Sequence, residues 1–265
     1  MKKFLTLIVA GLLAVTCLFS LTACGGKELI VYTESGFAPW EYTKDGSTEV
    51  VGVDMEIAKY IANKYGYTLR IVDGKFDTIV AGIAEDNALG IAGISWDPSR
   101  AEAVEYSDFY WGDAVQTVVY LKDSNPALEE GVFLASNFSG KKVVCQTGTT
   151  SQLTITANKD AWGVTTADFA QVLQALEEVK TDAEKDTYLI VDSQVAAQLV
   201  EENEECACAM IEGVEAESYG VVAKKGNTEL IGKVNEALKE LLKDDESGKN
   251  QIEKWFDEHS VASEE

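Results

Sequence analysis

The chain has 265 residues and a mass of 28.8 kDa; 46% of the residues are hydrophobic and 25% charged, which suits one large domain or two modest ones and excludes disorder throughout. Only 3 Pro stand beside 21 Gly, so a collagen-like or Pro-rich low-complexity chain is excluded. The 22 basic and 45 acidic residues give a net charge of −23, a field that repels nucleic acid and anionic headgroups, so any membrane attachment must be covalent or hydrophobic.

The chain begins Met1-Lys2-Lys3, continues in an apolar run from Phe4 to Leu21, and reaches Ala23-Cys24-Gly25-Gly26. A basic start, an apolar middle and small residues at a break have the form of a secretory leader, although the apolar run is also near the length that spans a bilayer. Leu21-Thr22-Ala23-Cys24 resembles the bacterial lipobox, in which the cysteine is lipidated and becomes the new N-terminus; Cys17, preceded by Thr16, is the poorer match. The reading is a lipoprotein signal peptide over 1–23, with 20 basic and 45 acidic residues left in the mature chain.

Residues 27–33 read as a strand, and 54–65 as a helix with Ile57, Tyr60, Ile61 and Tyr65 at the helical period and Gly66 at its stop. A strand over 67–72, a short helix over 76–84 and a small-residue strand over 88–94 complete a β-α-β-α-β run, the pattern of a parallel sheet covered by helices. The apolar run 115–121 leads into a polar connection at 122–131. A second α/β pattern then starts: strand 141–145, a helix opening at Gly148-Thr149-Thr150, helix 168–179, strand 188–191, helix 192–200, strands 207–211 and 219–223, and helices 228–243 and 249–258. Three cysteines of the mature chain, Cys145, Cys206 and Cys208, are an odd number for a disulfide framework, and Cys206 and Cys208 at i,i+2 on one strand are poorly placed to bridge. His259 is the only histidine, so a metal site has little to build on, and buried or free thiols are the simpler reading.

Open α/β sheets bind ligands beyond the carboxyl ends of their strands. The residues there are Glu34, Phe37 and Trp40 after the first strand, Ser95 and Arg100 after 88–94, Gln146, Gly148, Thr149 and Thr150 after 141–145, and Asp192 after 188–191. Arg grips a carboxylate with two parallel hydrogen bonds, a carboxylate takes an ammonium, and an aromatic face packs a side chain or attracts a cation. This set suits a small zwitterion.

On these residues the chain resembles the family 3 extracellular solute-binding proteins, the polar amino-acid receptors of ABC importers. The resemblance is carried in order by Thr33-Glu34-Ser35-Gly36-Phe37-Ala38-Pro39-Trp40-Glu41-Tyr42, Val51-Gly52-Val53-Asp54-Met55-Glu56-Ile57-Ala58, Ala92-Gly93-Ile94-Ser95 through Arg100, Gln146-Thr147-Gly148-Thr149-Thr150, Val191-Asp192, Tyr219-Gly220-Val221-Val222 and Lys254-Trp255-Phe256. It implies an α/β, two-lobed periplasmic-binding-protein-like fold of type II with two crossover hinge strands, lobe 1 being 24–118 with 222–265 and lobe 2 being 119–221. It implies that Arg100 clamps the ligand carboxylate with help from Ser95 and the Gln146, Thr149 and Thr150 region. The Gly93 carbonyl and Asp192 would hold the α-ammonium, and Glu34, Phe37, Trp40 and Phe76 would surround the side chain. The partners implied are a free amino acid, an ABC permease, and the membrane through lipid on Cys24; a monomer is expected, without nucleic acid, cofactor or metal.

Other readings of the same residues stay open here. Arg100 can pair with Glu102 or Glu105, Asp192 can be an N-cap, Gly148-Thr149-Thr150 can simply open a helix, and Phe37 and Trp40 can belong to a core. Ser95 and Asp97 stand where the family usually has Thr, the acid usual near Ala88-Leu89-Gly90 is missing, and Trp96 is an unusual neighbour for Ser95. Glu34 favours arginine or lysine, but an acid there also suits glutamine or another neutral polar amino acid, and a cystine-like ligand is a third choice. Two different functions compete: a cyclohexadienyl or arogenate dehydratase-like enzyme on the same fold, which needs a proton donor in the cleft, and a ligand-presenting sensor domain.

Overall fold

The computed structural model describes residues 27–44, 46–81 and 83–260; the expected leader over 1–23 and Cys24 lie outside them. Strand β1 (Glu28–Thr33) buries Leu29, Ile30 and Val31 in succession, because both of its faces are covered. It pairs in parallel with β5 (Thr68–Asp73) on one side and β6 (Ala88–Gly90) on the other. Between them run a small three-stranded sheet of β2 (Gly36–Phe37), β3 (Glu41–Thr43) and β4 (Val50–Val51), helix α1 (Val53–Tyr65) and helix α2 (Phe76–Ala81). The expected strand 88–94 stops at Gly90, and Gly93 then takes φ +52, which ends extended pairing.

Helix α3 (Pro98–Ala103) starts at Asp97, whose carboxylate accepts the Ser99 N–H at 2.8 Å, with Pro98 in the first turn. It leads into β7 (Val104–Ala114), an eleven-residue strand absent from the sequence reading. Its pairing with β15 (Glu217–Lys224) carries register shifts, and each one resets the inside–outside alternation by which a strand is recognised.

The second sheet holds β8 (Gln116–Leu121), β11 (Lys142–Gln146), β12 (Thr165–Phe169), β13 (Thr187–Asp192) and β14 (Cys206–Met210). Its helices are α4 (Thr150–Trp162), α5 (Val172–Thr181) and α6 (Ser193–Glu202). The helix expected over 168–179 begins later: Phe169 belongs to β12, Leu173 is 49% exposed, and the buried stripe is Val172, Ala175, Leu176 and Val179. Strand β12 was missed because it is an edge strand with mostly polar, exposed residues. A hairpin of β9 (Leu128–Glu129) and β10 (Val132–Phe133) lies in the 122–131 connection and just beyond it.

The two sheets share one plan. Their orders are β5-β1-β6-β15-β7 and β12-β11-β13-β8-β14. In each, three parallel strands are followed by an antiparallel strand whose chain has just crossed from the other sheet. The crossings run through Val115 and through 211–216, so the expected boundaries at 118/119 and 221/222 fall inside β8 and β15, each of which belongs wholly to one sheet. Helices α7 (Thr228–Leu241) and α8 (Gln251–His259) return to the first sheet, and α8 opens with a reciprocal capping box between Asn250 and Glu253. One continuous buried cluster joins a face of each sheet, from Leu29 and Met55 through Val119 and Leu189 to Leu238.

Candidate functional site

Loops beyond β1, β6, β11 and β13 meet between the sheets. Arg100, 6% exposed, is turned inward by the start of α3. Its Nη1 donates to the Ser95 carbonyl at 2.8 Å, its Nη2 donates to the Gly148 carbonyl of the other sheet at 2.7 Å, and its guanidinium lies 5.4 Å from the Phe76 ring centre. The Tyr106 hydroxyl also donates to the Ser95 carbonyl. These partners replace the acid pairing with Glu102 or Glu105, and Glu105 instead faces Lys225. Gly148 has φ +81, and a Cβ there would lie 2.9 Å from the Asp77 Cβ at the start of α2. Only glycine lets the second sheet's loop come this close to the first.

Glu34 lies beside this junction, 1% exposed, with its Oε1 reached by no hydrogen-bond donor among the described residues. Burial pushes its carboxyl up to about 7, the Asp73 charge adds to the rise, and a hydrogen bond from the Gln146 side chain opposes it. The Gln146 amide also donates to the Ala170 carbonyl at 3.1 Å. Phe37 is buried against Gly93, where a Cβ would lie 3.0 Å from the ring. The Gly93 N–H donates to Asp54 Oδ2 at 2.8 Å. Asp54 is fully buried beside Glu41 and Tyr110; burial raises its carboxyl to about 6, and burial with the Asp54 charge raises that of Glu41 well above its ordinary value.

On the second sheet's side, Thr149 caps α4: its hydroxyl accepts the Gln152 N–H at 3.3 Å and donates to the Gln146 carbonyl at 2.7 Å. Thr150 donates to Glu217 Oε2 at 2.7 Å. Asp192 stands at the N-cap position of α6, but its side chain makes no capping bond. It accepts from Gln116 Nε2 at 2.6 Å and from the Tyr219 hydroxyl instead. Its carboxyl is raised to about 7, by burial first and the Glu217 charge second.

Trp40 is the expected site residue that the structure does not bring here. Its backbone carbonyl accepts the Asp54 N–H at the start of α1, and its fully buried ring meets Tyr110, Trp111, Tyr219 and Phe256 at centroid distances of 6.2, 4.9, 5.2 and 5.5 Å. It is a core side chain. Trp96 stays 48% exposed.

The model of the bacterial extracellular solute-binding proteins, family 3, matches residues 29–258. The chain belongs to this family. It is 30% identical over 97% of its length to the arginine-binding extracellular protein ArtP of Bacillus subtilis, of which 98% is covered. The crystal structure of the substrate-binding protein AbpA of Streptococcus pneumoniae bound to L-arginine is similar, with a TM-score of 0.76, 26% identity, and 93% of this chain and 99% of that one covered. An ancestral arginine-binding protein bound to glutamine is also similar, with a TM-score of 0.74, 29% identity, and 87% and 96% covered.

As a family 3 solute-binding protein the chain has the two-lobed fold, acts outside the cytoplasm, and binds its substrate rather than transforming it. In this family member, three residues around the junction carry roles that the sequence reading did not assign: Gln116, Glu217 and Asp54. Gln116 was legible as a polar residue opening an otherwise apolar strand. Glu217 had no such signal, because an acid in a crossing segment reads as solvated.

Proposed function

We propose that this protein is the lipid-anchored receptor of an ABC importer for a cationic amino acid, with arginine as its ligand. The observation that carries the ligand is Glu34, a buried carboxyl with an oxygen lacking a donor, at a junction with aromatic side chains on the same lobe. A guanidinium supplies planar N–H donors and the positive charge that such an acid lacks. The names of ArtP and AbpA's bound ligand agree with this reading.

In it, Arg100 holds the α-carboxylate, using N–H groups beyond the two committed to Ser95 and Gly148, and the α4 start at Thr149 and Thr150 adds donors. Asp192 and the Gly93 carbonyl take the α-ammonium, while Phe37, Phe76 and Gln146 flank the side chain with Glu34. The lobes divide at Val115 and within 211–216, and they close by hinge motion. Residues 1–23 are the leader, Cys24 carries the lipid that holds the protein on the outer face of the cell membrane, and a permease receives the ligand.

A second reading, glutamine, is favoured by Glu34 titrating at about 7, since its protonated form donates to a side-chain carbonyl. Thermal-shift measurements of residues 25–265 against all amino acids and prephenate separate these. A ligand at 100 times its dissociation constant adds about 2.7 kcal/mol. The expected result is a shift with arginine that grows from pH 6 to pH 8; a glutamine shift that shrinks over that range selects the second reading, and no shift with any amino acid removes both. Mass spectrometry of the native protein tests the anchor, with a diacylated or triacylated Cys24 expected and a free N-terminal leader against it.

A further inference from the structure

Asp192, the acid assigned to the ammonium, has a second acid beside it. Glu217 opens β15 at the end of the second crossing, on the first sheet, whereas Asp192 closes β13 on the second. One side-chain amide ties them together: Gln116 Nε2 donates to Asp192 Oδ1 at 2.6 Å and to Glu217 Oε1 at 2.9 Å. The same nitrogen lies 3.4 Å from the Thr150 hydroxyl, and Gln116 Oε1 accepts from Ser151 at 2.7 Å, so the amide is fixed from both ends. The remaining oxygens accept from hydroxyls, Glu217 Oε2 from Thr150 and Asp192 Oδ2 from Tyr219. All of these donors are neutral.

Two carboxylates touching a single nitrogen atom lie within a few ångströms of each other. Neutral donors orient them but do not cancel their charge, and Arg100 only partly offsets it at Asp192. Like charges held this close inside a protein are costly unless a proton or a cation joins them, and above the Asp192 titration at about 7 only a cation does.

The geometry points to Glu217 as the second carboxylate of the ammonium site, a specificity-determining residue that makes a positive amino group on the ligand's α-carbon a requirement of binding. This rests on the amino-acid reading of the site given above. An α-ammonium between Asp192 and Glu217 lowers the repulsion, whereas an α-hydroxyl or α-hydrogen leaves it in place. Because the two acids come from different sheets, that ammonium also joins the lobes, and ligand recognition and closure share one contact.

The test is isothermal titration of the full chain and its Glu217→Gln variant with arginine and with 5-guanidinopentanoate, which is arginine without its α-amino group. Glutamine at this position keeps the size and an acceptor for Gln116 but removes the charge. A charge-assisted hydrogen bond is worth enough that arginine affinity falls roughly 10- to 100-fold. Affinity for 5-guanidinopentanoate stays level or rises, so the selectivity between the two ligands shrinks. Glu217→Asp, which keeps the charge, restores part of that selectivity. Equal losses for both ligands, or no loss for arginine, overturn the assignment.

The pH profile supplies a second readout. Asp192 faces Glu217 and Tyr219 from β15 and Arg100 from α3, with neutral Gln116 from β8. Removing the Glu217 charge moves the Asp192 titration to lower pH, and the acid limb of arginine binding moves with it. Glu34 titrates in both proteins, so the difference between the profiles isolates Glu217; identical profiles count against the proposal. A parent protein that binds no α-amino acid removes the underlying reading as well, whereas an arginine-binding parent with a charge-insensitive Glu217 removes this inference alone.

Discussion

The two sheets have the same strand order and the same exchange of a fourth strand, yet they equip the site differently. The first sheet brings formal charge and buried polar groups: Arg100 on α3, Glu34 after β1, and behind them Asp54 holding the Gly93 N–H with Glu41 and Tyr110 alongside. The second brings mostly dipoles: the Gln146 amide, the capped start of α4 and the Gly148 carbonyl, with Asp192 as its single acid. A charged side chain cut off from water must be oriented before the ligand arrives, and this requires a stiff wall. Helix-start amides and backbone carbonyls need no such support, because the backbone itself fixes their direction.

The largest effects should therefore come from the charges of the first sheet. Arg100→Ala is expected to weaken amino-acid binding by about 2–5 kcal/mol, because a buried carboxylate loses its partner. Titration calorimetry giving near-normal affinity would take Arg100 out of the site. Glu34→Gln should act in opposite directions on binding and on stability. A carboxyl raised to about 7 in the folded protein binds its proton more tightly there than in the unfolded chain, so it costs stability as pH rises from the ordinary carboxylate range through 7. At pH 8 the unliganded variant should be more stable than the parent by at most about 3 kcal/mol, while its arginine affinity falls and keeps between pH 6 and 8 only the dependence that Asp192 supplies. Urea unfolding at pH 5 and pH 8 measures the first effect; a stability gain of equal size at both pH values contradicts this account.

In the proposed closure, the Gly148 loop of the second sheet meets Asp77 of the first. In Gly148→Ala the methyl meets the Asp77 side chain, and the positive φ adds strain of about 1–2 kcal/mol. Ligand affinity should fall about tenfold or more as the lobes are held apart. Solution scattering should show a larger radius of gyration with ligand than the liganded parent. If scattering shows the variant closing as tightly as the parent, the Gly148–Asp77 contact does not limit closure.

The same division explains what the sequence disclosed. The places of Arg100, Glu34 and Asp192 at the junction were legible because each was expected just beyond a strand and carries a charge that few such positions tolerate, whereas Gly93 came only from the family resemblance. Helices α1 and α7 were legible from their apolar period. Strand β7 was not, since its register shifts erase alternation, and β12 was not, since an edge strand needs no apolar face. Trp40 misled because its position after a strand suggested a ligand wall, whereas the small β2–β3–β4 sheet and the bond from Asp54 to its carbonyl turn the ring inward. Glu217 depends on the exact place where the chain crosses between sheets, and composition and period do not encode that place.

The smallest effect belongs to the helix start that the second sheet offers. Thr149 holds α4 at both sides of its first turn, accepting from the Gln152 N–H and donating to the Gln146 carbonyl. Thr149→Ala removes the cap and should cost about 1 kcal/mol of stability. Thr149→Ser keeps the hydroxyl and should recover most of it. Binding provides the sharper reading, because in the proposed pose the α4 start that Thr149 orders holds the carboxylate end of the ligand. If the α4 start contributes to the carboxylate site, arginine affinity should fall several-fold in the alanine variant beyond what its stability loss explains, and agmatine, which lacks that carboxylate, should be unaffected. A variant that loses stability but binds arginine as the parent does would reduce Thr149 to a cap, and the carboxylate would then rest on Arg100 and the first sheet alone.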